Sequence, residues 1–142
     1  MTSHVSLLRR AKGDLLTCSR NLELGEDEVE IDIAGYHLQQ AVEKILKFQI
    51  SMKAVKYPPS HDIDMLLEIL DDQGIKYPDW VDEYSATLTL YATKTRYGKD
   101  IVASVRTLKK LMPLALDYLE SVQGEEKQKD NSLTPTRVFP KK

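Results

Sequence analysis

The stretch AGYHLQQAVEKILKFQI, residues 34–50, decides the fold. Its apolar side chains recur at three- and four-residue steps, which places them on one side of a helix at about 100° per residue. This stripe consists of Leu38, Ala41, Val42, Ile45 and Met52, with Leu46 and Phe48 at its edges. The segment therefore predicts a long amphipathic helix, from about residue 31 to residue 54, that packs its stripe against a core.

The opposite side of the same helix mixes imidazole, amide, carboxylate and ammonium groups. Around His37 on the helical wheel, Lys44 lies about 20° away and Gln40 about 60° away. Glu43 and Tyr36 lie further round the same side. Amide and charged residues paired at four-residue spacing are common on solvated helix faces. The same groups could also bind a ligand, and the pattern leaves both interpretations open.

Four further segments predict helices of the same amphipathic kind. They run from about residue 5 to 23, 61 to 73, 79 to 95 and 101 to 122. Ser60 is the predicted cap of the third helix and Gly74 its stop, while Pro113 predicts a bend or a break in the last one. Since no segment alternates with the period of a strand, we predict an all-α, up-and-down bundle of about five helices over residues 1–122.

Residues 123–142 are polar, contain two prolines and show no apolar period. This composition predicts a disordered tail. Val138 and Phe139, beside the basic residues at its end, could form a short segment that binds a partner.

Composition excludes several classes of protein. The net charge is −2, from 20 basic and 22 acidic residues, which argues against broad binding to nucleic-acid phosphates but allows a small basic site. Cys18 is the single cysteine, so an internal disulfide and a CxxC motif are both excluded. The three histidines lack the spacing of a metal-ligand pair, and no glycine-rich phosphate loop is present. We expect neither a metal nor a cofactor.

No run approaches the roughly 18 apolar residues that a membrane-spanning helix needs, and the first residues lack the apolar core of a signal peptide. The expectation is therefore a cytoplasmic protein without a membrane segment.

Two further groups of side chains lie outside the long helix. Arg96, followed by Tyr97, ends the fourth predicted helix, where a guanidinium could bind phosphate with two hydrogen bonds or simply stabilise the helix end. His61 begins the third, where packing at a helix entry is its ordinary role. Aromatic residues surround the fourth helix and either complete the core or contribute to a dimer interface. They are Trp80, Tyr84, Tyr91 and Tyr97.

Three elements in series resemble the HEPN family (higher eukaryotes and prokaryotes nucleotide-binding domain). They are AGYHLQQAVEKILKFQI at 34–50, PPSHDIDMLLEIL at 58–70 and LYATKTRYGKD at 90–100. The resemblance implies a helical bundle that usually forms a homodimer. It also implies a link to RNA cleavage, to nucleotide or RNA binding, or to partnership with minimal nucleotidyltransferases in toxin–antitoxin and defence systems.

The ribonuclease members of that family carry an arginine followed, after four to six residues, by a histidine. Arg96 matches the arginine, but the positions for the histidine hold Ile101, Val102 and Ala103, which cannot transfer a proton. The expectation is thus a non-catalytic module that binds a nucleotide or RNA. Its expected binding residues are Tyr36, His37, Gln40, Glu43, Lys44, Arg96 and Tyr97. The alternatives are a dimeric partner of a minimal nucleotidyltransferase and a divergent ribonuclease.

Overall fold

The computed structural model describes residues 3–24, 27–97 and 103–133, and within them the side chains of 6–24, 27–93 and 103–126. This part of the chain forms six helices. They are α1 (Ser3–Leu24), α2 (Glu28–Met52), α3 (Ile63–Asp72), α4 (Asp79–Glu83), α5 (Ser85–Tyr97) and α6 (Val105–Leu133). The described residues contain no strand, so the all-α prediction is confirmed.

Helix α2 is the centre of the bundle, because α1, α3, α5 and α6 all pack against it. The predicted stripe is confirmed: Leu38, Ala41, Val42 and Ile45 are fully buried. Burial does not stop at that stripe, however. Gln39, Glu43 and Lys47 on the other side of the helix are buried as well. A helix enclosed on so many sides leaves only a narrow strip of its polar face to the solvent.

The third helix begins later than predicted. Asp62, rather than Ser60, is its cap, and the Asp62 carboxylate accepts from the backbone N–H groups of Asp64 and Met65. His61 consequently lies in the loop before the helix. At the other end, Gly74 has a positive φ of 69°, and the N–H of Ile75 bonds to the Leu70 carbonyl. This geometry is the Schellman ending that the glycine predicts.

The predicted fourth helix is two helices, divided at Tyr84, whose φ of −103° and ψ of 15° leave the helical region. Backbone hydrogen bonds continue across the division, since the N–H of Leu88 donates to the Tyr84 carbonyl. The regular spacing of apolar residues from Val81 to Tyr91 therefore continues across the division. Tyr91 is buried, while Trp80 and Tyr84 are partly buried against the core. These three aromatic residues complete the core of the monomer.

Helix α6 is longer than predicted and continues through Pro113. Proline removes the hydrogen bond to the carbonyl of Lys109, and both residues are exposed, so water can satisfy that carbonyl. The helix also passes the predicted end at Val122 and reaches Leu133. Val138 and Phe139 lie outside the described residues.

Candidate functional site

A continuous network of polar side chains lies along one side of α2. It takes in Asp14 from α1, His61 from the loop before α3, and six residues of α2. These six are His37, Gln39, Gln40, Glu43, Lys44 and Lys47. Each end of the network is built around one carboxylate.

At the first end, Asp14 joins α1 to α2. The Nδ1 atom of His37 lies 2.8 Å from Oδ1 of Asp14, and the ammonium of Lys44 donates to Oδ2 of Asp14 at 2.6 Å. The exposed fractions of the three side chains are 28 % for His37, 18 % for Lys44 and 13 % for Asp14. This end is therefore open to the solvent through the imidazole and, to a lesser degree, the ammonium group.

At the second end, Glu43 is surrounded by donors. The ammonium of Lys47 donates to Oε2 of Glu43 at 2.7 Å, and Nδ1 of His61 lies 2.9 Å from Oε1. Only 6 % of the Glu43 side chain and 11 % of the Lys47 side chain are exposed, whereas 44 % of His61 is exposed. The Lys47 ammonium also lies 5.4 Å from the centre of the Tyr57 ring. This end is a buried ion pair with an accessible imidazole above it.

Two amide side chains connect the ends. Lys44 donates to Oε1 of Gln40 at 3.2 Å, and Nε2 of Gln40 donates to Oε1 of Gln39 at 2.8 Å. Nε2 of Gln39 donates in turn to Glu43 and to the backbone carbonyl of His61, each at 3.0 Å. The hydrogen bonds thus run without interruption from His37 to His61.

The charges of the network favour an ionised Glu43. Burial by itself would raise the pKa of this carboxyl. The hydrogen bonds from Lys47, His61 and Gln39, together with the charge of Lys47, outweigh that effect and hold the pKa below its ordinary value. Glu43 is therefore an acceptor only, and each of its neighbours must donate to it.

This requirement fixes the tautomer of both imidazoles. Because an ionised carboxylate has no hydrogen to give, Nδ1 of His61 carries the hydrogen and donates to Glu43, and Nδ1 of His37 does the same toward Asp14. In the neutral ring, Nε2 is then an acceptor with a lone pair. Each histidine is oriented by a carboxylate and presents its other nitrogen away from that contact.

The structure brings most of the predicted binding residues together. His37, Gln40, Glu43 and Lys44 share the network, and the ring of Tyr36 meets the ring of His37 edge to face, with centroids 5.3 Å apart. The solvated-face interpretation is wrong for Glu43, because neighbouring elements cover this part of α2.

Arg96 and Tyr97 lie in the last turn of α5, and their side chains are outside the described residues. Helix α5 packs against α2, and Gly35 of α2 lies close to the ring of Tyr91. Arg96 comes five residues after Tyr91, which is about 7 Å further along the axis of α5.

Asp14, Gln39, Lys47 and His61 belong to the network but not to the predicted binding residues. Lys47 follows Glu43 by four residues, and His61 belongs to the quoted stretch at 58–70, so both carried a sequence signal. Asp14 carried none, because its partners lie 23 and 30 residues further along the chain.

Within the described residues, no three imidazole, thiol or carboxylate groups come together in a way that could hold a metal ion. The described helices also include none that is both long enough and apolar enough to cross a membrane.

A model of the HEPN domain family matches residues 4–125. The match covers most of the chain, which belongs to this family. The resemblance carried by the three sequence elements is thereby confirmed, and with it a general relation to nucleotides and RNA. No curated protein and no solved structure gives a significant match.

Proposed function

We propose that this HEPN domain binds the phosphate group of a nucleotide or of RNA at the open side of the polar network. The observation that carries the proposal is the group formed by His37, Lys44 and Asp14, in which the Lys44 ammonium, a phosphate donor, and the His37 imidazole beside it are held in place but remain accessible. Tyr36 flanks this group and could stack on a base or a ribose. Gln40 and Glu43 position the lysine and the second imidazole, and Arg96 with Tyr97 would complete the site from the end of α5.

We propose further that the domain does not cleave RNA by the mechanism of its ribonuclease relatives. Of the three positions where their histidine would stand, Ala103 lies in the described part of the chain, and only 7 % of it is exposed. Its backbone N–H donates to Asp32 at 3.3 Å. A position used for packing in this way offers neither a proton-transfer group nor room for one.

Calorimetric titration with AMP and with a short RNA tests the binding proposal. We expect measurable binding, weakened about ten- to a hundredfold by Lys44→Met, because a hydrogen bond from a charged donor is lost. Arg96→Met should weaken binding as well. The matched control is Lys109→Met, which removes an exposed lysine of α6 and should leave the affinity unchanged. The RNA should stay intact on long incubation, and absence of heat at millimolar ligand would refute the proposal.

A second candidate function, that of a dimeric interaction partner, is favoured by one surface. Leu24, Val29 and Ile33 have 62 %, 63 % and 37 % of their surface exposed. All three lie near the turn between α1 and α2, and Val29 and Ile33 share the side of α2 that bears the network. Exposed apolar residues grouped beside a polar site are typical of an interface.

The charges along the same surface suggest a second copy of the chain as the partner. Asp27, Glu28 and Glu30 lie at the turn, while Arg10 and Lys44 lie toward the opposite end of the α1–α2 pair. A two-fold axis across these helices would pair the acidic end of one copy with the basic end of the other. A homodimer of this kind would bring two networks into one cleft. A nucleotidyltransferase is the alternative partner for this face.

Ile33→Asp should convert the homodimer to a monomer, because the substitution buries a carboxylate in an apolar contact. Light scattering coupled to gel filtration measures the change. Met65→Asp is the matched control, since Met65 has a similar exposure of 43 % but lies on α3. A wild-type chain that stays monomeric at high concentration would leave this face to a different protein and would refute the homodimer.

A further inference from the structure

Acidic side chains are concentrated in one part of the chain. Residues 60–93 hold eight aspartates and glutamates but a single basic residue, Lys76, which gives this part a net charge of −7 in a chain whose total is −2. All eight carboxylates are exposed. The rest of the chain is correspondingly basic, and its cations include Arg137, Lys141 and Lys142. A surface of this charge attracts a cationic partner, but charge alone does not define a binding site.

A cleft of about 520 Å³ opens within this acidic surface, between the beginning of α3 and the first half of α5. Its lining residues are Asp62, Asp64, Ser85, Ala86, Thr89 and Leu90. The Asp62 carboxylate caps α3 through Oδ1, which accepts from the N–H groups of Asp64 and Met65. Neither Asp62 nor Asp64 forms an ion pair with another described residue. Both carboxylates are therefore available to a cation in the cleft.

A buried hydroxyl inside this cleft has no partner of its own. Only 9 % of Ser85 is exposed, and among the described residues no group forms a hydrogen bond with its side chain. A buried hydroxyl is ordinarily hydrogen-bonded, because losing its contact with water without compensation is unfavourable. The Thr89 hydroxyl, by contrast, accepts from the backbone N–H of Ile63. Ser85 therefore lines the cleft as a donor and acceptor that a bound ligand can satisfy.

The cleft also offers an apolar contact. Leu90 lines it with 43 % of its surface exposed, and Ala86 lies one helical turn earlier on the same side of α5. Two other clefts of the described chain have apolar walls as well, but their lining includes Arg9 and Lys12 in one and Lys53 in the other. Those cations oppose a basic ligand. The cleft between α3 and α5 combines carboxylates with an apolar wall and has no cation among its lining residues.

From these features we infer that the cleft between α3 and α5 binds the basic segment RVFPKK, residues 137–142, of a second copy of this chain. The guanidinium of the segment pairs with Asp64, and the ring of Phe139 packs on Leu90. The Ser85 hydroxyl bonds to the backbone of the segment. The segment thus supplies the cations, the apolar side chain and the hydrogen-bonding groups that the cleft lacks. This inference is independent of the proposed phosphate site.

The reach of the chain selects a second copy as the source of the segment. Close to the cleft, the Lys110 ammonium lies 5.4 Å from the centre of the Tyr84 ring, and Ser85 follows Tyr84 directly. From Lys110, α6 continues for about 35 Å before it ends at Leu133. The six residues from there to Phe139 span at most about 20 Å. The segment therefore falls short of the cleft of its own copy.

Fluorescence anisotropy with a labelled peptide of residues 134–142 measures this binding on the full chain. We expect saturable binding that weakens at least about fivefold in Asp64→Asn, because a charged hydrogen bond is lost. The matched control is Glu68→Gln, which removes the same charge from α3 outside the cleft and should leave the affinity unchanged. A peptide carrying Phe139→Ala should bind about tenfold more weakly.

Paramagnetic broadening in a mixed sample identifies the copy that supplies the segment. One chain carries a nitroxide on Thr136→Cys, and a second, isotope-labelled chain reports on its own amides. Cys18 stays unmodified because it is fully buried and burial raises its pKa to about 12. We expect the resonances of Ala86 and Leu90 in the isotope-labelled chain to broaden. Asp64→Asn in that chain should restore them.

The opposite results would each overturn the inference. Absence of peptide binding would leave the cleft without this ligand. Broadening only within a single chain would place the segment on its own copy, and broadening elsewhere would assign it to a different surface. Equal weakening by Asp64→Asn and Glu68→Gln would reduce the contact to the general attraction of an acidic surface for a basic peptide. None of these results bears on the proposed phosphate site.

Discussion

Glu43→Gln lowers the free energy of unfolding by about 3 to 5 kcal/mol, the expected cost of breaking a buried ion pair from one side. The substitution keeps the shape of the side chain but leaves the Lys47 ammonium, with 11 % of its side chain exposed, without a countercharge. It also weakens the contact that orients His61. Urea unfolding followed by circular dichroism measures the change.

Two controls separate charge from shape. Glu43→Gln combined with Lys47→Met removes both charges and should recover most of the lost stability, because the uncompensated ammonium is gone. Glu68→Gln changes an exposed glutamate of α3 and should stay within about 0.5 kcal/mol of the wild type. A single variant as stable as the wild type would show that the ion pair contributes nothing to the fold.

The stability difference between wild type and Glu43→Gln should depend on pH with a definite sign. The pKa of Glu43 is lower in the folded chain than its ordinary value of 4.5. A carboxyl with a lowered pKa contributes stability above its unfolded value, and that contribution is lost as the pH falls through the folded value. The difference should therefore be constant near neutral pH and shrink as the pH falls below about 4.5.

Gly35→Val destabilises the fold by about 3 kcal/mol, because the larger side chain overpacks the contact of α2 with Tyr91 of α5 and with Ala103. A Cβ atom at position 35 would lie 2.9 Å from the Cβ of Ala103 and 3.3 Å from the ring of Tyr91. Tyr91 is buried, and its ring has little space to move away. Thermal unfolding at several urea concentrations measures the effect.

The contrasting substitution is Gly13→Ala in α1, where no atom lies within 4 Å of the added Cβ. Alanine favours a helix by about 1 kcal/mol over glycine, so this variant should gain stability. A smaller double change, Gly35→Ala with Ala103→Gly, exchanges one methyl group for another and should be milder than Gly35→Val. If Gly35→Val proved as stable as the wild type, α2 would be able to move away from Tyr91 and Ala103 at little cost, and the overpacking argument would be wrong.

The sequence predicted the core of this fold well because a single helix carries the pattern. Leu38, Ala41, Val42 and Ile45 are spaced for one face, and that face is buried. It predicted the division at Tyr84 poorly, since the apolar spacing from Val81 to Tyr91 continues unchanged through one residue with altered dihedral angles.

The site was harder to predict than the core for a physical reason. A helical wheel distinguishes the sides of one helix but does not show how many neighbours surround it, so it left open whether Glu43 lies on a solvated face. The contact between Asp14 and His37 joins residues on separate helices, and no spacing within either helix indicates it. For Arg96 the sequence supplied a family position, and its place relative to the network stays a prediction.

The chain of amides between the two carboxylates has a direction. Lys44 donates to Gln40, Gln40 donates to Gln39, and Gln39 donates to Glu43. An amide has one donating and one accepting end, so rotating either glutamine by half a turn would set donor against donor or acceptor against acceptor. Neither side chain can reverse alone. The two imidazole-bearing ends are therefore mechanically coupled, and a rearrangement at one must be transmitted to the other or resisted by it.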